Sequence, residues 1–310
     1  MNWRIKGAIQ KVLGHVPLGD RLHYELQLRA GGLRQFDREL EIKIGEDWRL
    51  MIGHLRSVGF EVAGTRYLEM GTGWYPTFPL ALFLGGAAQV TTVDLNRHLK
   101  PELTRRLVDA LAQFVPLIAE RSGRPVDAVA TAHRALQTAI HRGASLSEAT
   151  GGVVVYQAPG DAAATGLPAG SLDVVFSNSV LEHVPGSVIE RCFVEARRIL
   201  RPGGVVFHSV NCGDHYAYVD RSIDQLNYLQ FSDADWAKWN NAFLYQNRLR
   251  AMDFVAMATA AGFGIEVDTT RPNPIRLEQL ARIAVHPQFQ KYSRDQLAIT
   301  SIDFIGRNPA

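Results

Sequence analysis

The residues of this chain with the clearest chemical spacing lie between Arg66 and His98. Gly71-Thr72-Gly73 follows a short apolar run, Arg66–Met70, that reads as a strand. Asp94 closes a second apolar, β-branched run, Gln89–Val93. Glycine lets a backbone come close to a ligand, and a carboxylate about 20 residues further on can take both hydroxyls of a ribose. Thr77–Leu84 supplies the intervening helix, with Pro76 and Pro79 in or near its first turn, where a missing N–H costs little. Together these elements make a βαβ half-unit, with glycines after its first strand and an acid after its second.

Two adenosine-containing ligands compete for such a unit, a nicotinamide dinucleotide and S-adenosylmethionine (SAM). A bare glycine turn between two buried elements is the reading without a ligand. A dinucleotide fingerprint wants a third glycine three places after the second, to pack the helix beneath the pyrophosphate. Pro76 stands there. Glu69, just before the turn, adds a second negative charge that repels a diphosphate and suits an ammonium group. Glu69-Met70-Gly71-Thr72-Gly73 resembles the first motif of class I SAM-dependent methyltransferases, an acid followed by Gly-X-Gly-X-Gly. Tyr75 replaces the last glycine of that pattern, which implies a wider or tilted loop and makes Tyr75 a substrate-side candidate.

Downstream, strands at Val153–Tyr156, Leu172–Phe176 and Val205–Val210 alternate with helical patterns, chiefly Ser187–Leu200, and predict a parallel, doubly wound sheet. Arg201-Pro202-Gly203-Gly204 reads as a stop with glycine at the helix C-cap. Asp161, the run LPAGSLDVVFSNSVLEHV and the run ARRILRPGGVVFHSV resemble later motifs of the ubiquinone/menaquinone-type branch of the same methyltransferases. The resemblance spans Tyr67 to Val210. It implies a Rossmann-like, seven-stranded α/β sheet, to which the flanking sequence adds N-terminal helices and a helical insertion after the fifth strand. It also implies SAM as cofactor and S-adenosylhomocysteine as product. By resemblance, Asp161 accepts from the adenine amino group beside the Ala162 N–H, and Asn178 lies at the methionine end. Glu69, Gly71, Gly73, Asp94 and Leu95 complete the cofactor set.

Composition leaves room for this reading. The chain has 310 residues, 46% of them hydrophobic and 21% charged, and a net charge of +2 that marks no nucleic-acid partner. Cys192 and Cys212 are the only cysteines and have no metal-ligand or disulfide spacing, so free thiols in a reducing cytoplasm and a metal-free site are expected. No apolar run is long enough to span a bilayer, and the first residues lack signal-peptide features.

Residues 1–60 read as a helical lid or dimer arm, with helices near Ile5–Leu13, Leu22–Leu28 and Asp47–Val58 and a first stop at Gly14 and Pro17. An extra layer on the core and a short basic helix on a membrane surface are the alternatives. Residues 61–310 form the SAM-binding domain. Within it, residues 101–145 are an insertion, expected at the surface with His133 and His141 exposed or capping helices, and residues 211–250 a substrate cover. Asp214-His215-Tyr216, Tyr228, Phe231, Trp236, Trp239 and Asn247–Arg250 resemble segments of natural-product and surface-glycan methyltransferases. That makes Asn211, Tyr216, Asn247 and Arg250 substrate candidates. The last strand is expected at Leu297–Ile305.

The function expected is methyl transfer to an O or N atom of a small molecule in the cytoplasm. A non-catalytic SAM-binding subunit and a nicotinamide oxidoreductase are the rivals. Should the acceptor be a hydroxyl, His215 is the candidate general base, in a polar loop after the fifth strand beside Asp214, with an unperturbed pKa of about 6.5. An amine acceptor needs only positioning.

Overall fold

The computed structural model describes residues 2–309 apart from 15, 17, 18, 31 and 242. His15, and the first stop expected at Pro17, lie outside the described residues. The strands are β1 (Arg66–Met70), β2 (Gln89–Val93), β3 (Val154–Gln157), β4 (Leu172–Asn178), β5 (Leu200–Asn211), β6 (Gly264–Asp268) and β7 (Ser301–Arg307). They form one sheet in the order β3-β2-β1-β4-β5-β7-β6. The first five are mutually parallel where they pair, and β7 is antiparallel to both β5 and β6. The chain runs outward from β1 to β3 and then crosses to β4, so β1 and β4 border the switch point, where open α/β sheets bind ligands. Register aligns their ends: Glu69 stands opposite Thr92 on one side and Phe176 on the other.

The central strands are apolar because both faces are covered. On one face, Tyr67, Phe176 and Phe207 pack with Phe36, Leu40, Ile44 and Trp48 of the N-terminal region. On the other, Leu68, Val175 and Val206 pack with Ile189 and Phe193 of the helix Gly186–Ile199 and Phe254 of the helix Ala251–Ala260. The insertion is not a surface appendage: Leu103, Leu107, Phe114, Ile118, Val129 and Leu136 belong to the first core. His133 is correspondingly buried, with Nε2 2.6 Å from the Val108 carbonyl, whereas His141 is exposed and pairs with Asp109 at 2.8 Å.

The third N-terminal helix starts well before Asp47. Phe36–Leu40 continues through an eight-residue π-helical stretch, Glu41–Trp48, into Arg49–Ser57. Such i→i+5 segments are rare and concentrate at functional sites. At the other end of the chain, Arg294–Leu297 is helical and β7 begins only at Ser301.

The glycine stop expected after residue 200 is a different structure. The helix ends at Ile199 on extended Leu200, and Gly203 takes φ +77° inside β5. A Cβ on Gly204 would come within 3.0 Å of the Asp173 carbonyl, so close backbone approach also requires glycine here.

Arg250, a substrate candidate by sequence, is fully buried and serves the fold. Its guanidinium donates to the carbonyls of Cys212 (2.7 Å), Leu297 (3.1 Å) and Ile299 and to the Tyr228 hydroxyl, tying the loop after β5 to the segment before β7. A buried polar group left unpaired costs about 1–3 kcal/mol. Arg250→Met orphans several, so urea unfolding should show a stability loss of about 3 kcal/mol or more. A loss below about 1 kcal/mol would mean that the carbonyls find other partners. Among the described residues, no helix is long and apolar enough to cross a membrane.

Candidate functional site

A cavity of about 1270 Å³ opens at the carboxyl ends of β1, β2 and β4. The turn after β1 supplies Gly71, Thr72 and Gly73, and the end of β2 supplies Asp94 and Leu95. Gly160, Asp161 and Ala162 follow β3, and Asn178–Leu181 with His183 follow β4. The opposite wall comes from Gln35, Arg38, Glu39, Ile42, Lys43 and Asp47, while Tyr218 and Val219 close it from the loop after β5.

The turn is built on backbone conformations that favour glycine. Gly71 and Gly73 take φ +85° and +71°. The Gly71 N–H donates to the Val93 carbonyl at 2.8 Å, and the Gly73 N–H to Asp94 Oδ2 at 3.0 Å. Beneath the turn, Thr72 and Thr92 meet hydroxyl to hydroxyl, and Thr92 Oγ1 donates to Glu69 Oε2 at 2.5 Å. Glu69 therefore supports the turn from below and is not among the residues lining the cavity. Burial, aided by the charge of Asp94, pushes its carboxyl up to about 8 against the Thr92 hydrogen bond, so it does not present the fixed negative charge expected. Burial likewise raises Asp94 to about 7, opposed by the hydrogen bond from Gly73.

Asp161 receives the Ala163 N–H on Oδ1 at 2.8 Å and faces the cavity beside Ala162. Leu95 is 72% exposed at the rim. Asn178 donates through Nδ2 to Asp47 at 2.9 Å, which couples the end of β4 to the π-helical stretch. Lys43, one turn away on the same stretch, lies 5.0 Å over the Tyr75 ring; burial lowers its pKa although Glu39, Glu69 and Asp47 favour the charge. Lys43 and Asp47 escaped sequence reasoning. Their signal was charged residues four apart on a helix whose other positions, Leu40, Ile44 and Trp48, are fully buried.

The remaining candidates lie away from the cavity wall. Tyr75 is buried against Phe36, ring centroids 5.0 Å apart, because the turn after Gly73 folds it inward. Tyr216 is buried in an aromatic cluster with Trp3 and Trp236, its hydroxyl donating to the Trp239 carbonyl at 2.9 Å. Asn211 donates to the Tyr218 hydroxyl. Asn247 donates to the carbonyls of Leu181 (2.7 Å) and Val184 (2.8 Å), clamping the loop after β4.

His215 is also set back from the wall. Burial, with the charges of His183 and Lys6, lowers its pKa to about 3, a poor match for a general base at neutral pH. Asp214 does not orient the ring; it accepts from Tyr216 N–H and Asn227 Nδ2, both at 2.8 Å. His215 instead stands beside Glu182 and His183, its Nε2 3.9 Å from Glu182 Oε1.

The two glycines differ in what a side chain would meet. A Cβ on Gly71 falls 2.5 Å from Val180 Cγ2, whereas one on Gly73 meets nothing within 4 Å. Gly73→Ala should thus cost only the roughly 1–2 kcal/mol of a left-handed residue, and Gly71→Ala clearly more. Thermal unfolding of the two variants checks the order, and a lower Tm for Gly73→Ala would contradict this packing.

A methyltransferase-domain family profile matches residues 112–208, from the insertion into β5. No curated protein matches the chain. Solved structures resemble it at low identity. A SAM-dependent methyltransferase from Mesorhizobium loti is 17% identical, with TM-score 0.44 over 82% of this chain and 96% of that one. A geranyl diphosphate methyltransferase solved with geranyl diphosphate and sinefungin is 15% identical, with TM-score 0.47 over 84% and 77%. A phosphoethanolamine N-methyltransferase 2 from Haemonchus contortus, solved with S-adenosylhomocysteine, is 17% identical, with TM-score 0.44 over 92% of this chain and 60% of that one. The seven-stranded mixed sheet with helices on both faces has the Rossmann-like topology expected from the sequence.

Proposed function

We propose that the chain is a SAM-dependent methyltransferase acting on an O or N atom of a small molecule. The observation that carries this reading is one cavity at the switch point bordered together by Gly71, Gly73, Asp94, Asp161, Ala162 and Asn178. In this reading Asp94 takes the ribose hydroxyls, the glycine turn lets the backbone approach the cofactor, and Asp161 accepts from the adenine amino group. The exposed Leu95 side chain covers the adenine rim. Asn178, held by Asp47, meets the methionine end, and Glu69 acts only through the turn. The acceptor enters between the Phe36–Ser57 helix and Tyr218.

A sulfonium donor is already activated, so the protein's task is alignment and exclusion of water. The helix wall and the loop after β5 both serve that task. A nicotinamide cofactor fits less well, because Pro76 occupies the place of the third glycine and leaves no close helix seat for a pyrophosphate.

Calorimetry with S-adenosylhomocysteine and with NADH tests the reading; binding of NADH alone would overturn it. Asp94→Ala should weaken S-adenosylhomocysteine by about 1.5–3 kcal/mol, the worth of hydrogen bonds to a charged group. The pH dependence follows from the raised Asp94 carboxyl. Above pH 7 it is ionised and accepts from both hydroxyls; below pH 7 it holds a proton that competes with the ligand. Affinity should therefore fall as pH drops from about 8 to 6, and that slope should flatten in Asp94→Asn. An equal slope in both proteins would assign the titration to another group.

A further inference from the structure

We propose that Glu182, His183 and His215 bind a divalent transition-metal ion just behind the cavity wall, where His183 borders it. Parallel pairing sets Asn178 opposite Ser209, so the loops following β4 and β5 leave the sheet side by side. One ligand atom from each of the three side chains consequently lies within 4.8 Å of the other two. Glu182 is only 2% exposed, and its carboxylate oxygens make no hydrogen bond of good geometry, with the backbone N–H groups of Glu182 and Asn211 its nearest donors; His215 Nε2 likewise has no hydrogen-bond partner. A poorly partnered carboxylate in the interior is costly unless it takes up a proton, is paired or coordinates a metal.

His183 is prepared for ligation from behind. Its Nδ1–H donates to the Tyr245 carbonyl at 2.7 Å, which leaves the Nε2 lone pair free and fixes the ring. Asn247, clamped on the carbonyls of Leu181 and Val184 to either side, holds the same loop. Lys6 also faces His215, so the ion would be held by direct ligation and not by a negative field. One carboxylate with two imidazoles suits Zn²⁺, Fe²⁺, Mn²⁺ or Co²⁺ better than Mg²⁺ or Ca²⁺. Three protein ligands leave a position open, and His183 borders the cavity. Resting on the methyltransferase reading, this position would hold an oxygen of the acceptor, which favours hydroxyl-bearing substrates over amines.

The test titrates metal-stripped protein with Co²⁺, read by visible absorption, and with Zn²⁺, read by calorimetry. One ion per chain is expected. Glu182→Gln and His215→Ala should each weaken it by at least the roughly 10–100-fold that loss of an outer partner costs. His141→Ala, at an exposed His–Asp pair, should change nothing. Circular dichroism confirms that each variant is folded, and S-adenosylhomocysteine binding is measured on the same samples. No stoichiometric uptake by the wild type, or equal uptake by folded Glu182→Gln and His215→Ala, would overturn the metal site even where S-adenosylhomocysteine binds. Metal uptake without S-adenosylhomocysteine binding would keep the metal site and remove the cofactor reading.

Discussion

A turn with two residues at positive φ keeps its shape only if something holds it from beneath, and here that support is a set of hydrogen bonds between neighbouring strand ends. Asp94 receives the Gly73 N–H, Gly71 donates to Val93, and the Thr72–Thr92–Glu69 contacts fill the space below. These groups meet because β1 and β2 pair in a register that puts Glu69 opposite Thr92 and Met70 opposite Val93. A shift of one residue would turn Thr92 to the opposite face and break the set. The cavity floor is thus a consequence of strand register, and the loops after β3 and β4 are placed by the same sheet.

The loop after β4 is held as firmly from the other side. Ser179 takes φ 54°, uncommon for a residue with a side chain, and its N–H reaches the Ser209 carbonyl at 2.9 Å. Asn247 and Tyr245 clasp the residues that follow. The region 211–250 in turn rests on the first helix, where the Trp3 N–H donates to Asp220 and the Trp3 ring packs on Tyr216 and Trp239. The N-terminal helix and the segment after β5 are one packed unit leaning on the site.

The first half-unit was legible because its signals are local. β1, the helix Thr77–Leu84 and β2 follow from apolar runs, glycine punctuation and a closing acid, and their observed bounds are those read from the sequence. The polar candidates were harder, because a buried polar side chain has the same letter as one that touches a ligand. Arg250, Tyr216 and Asn247 read as substrate groups in the sequence, yet their donors are engaged with the backbone. The Glu182, His183 and His215 group has no compact spacing, since it is assembled by the pairing of β4 with β5. His133 reads as exposed or helix-capping because nothing in the insertion's sequence says that its helices bury one face against the sheet layer.

The π-helical stretch Glu41–Trp48 has one further consequence. A helix that closes its hydrogen bonds at i→i+5 carries more residues per turn than the α-helical segments on either side. The number of residues in this stretch, and not only their identity, sets the angle between Phe36–Leu40 and Arg49–Ser57. Loss of one residue would let the whole run relax to α-helix, rotating one half relative to the other. Either Met51, Ile52 and Leu55 would then leave the core, or Gln35 and Arg38 would leave the cavity wall. The segment should therefore resist a change in its length as strongly as a change of its buried letters, Ile44 and Trp48.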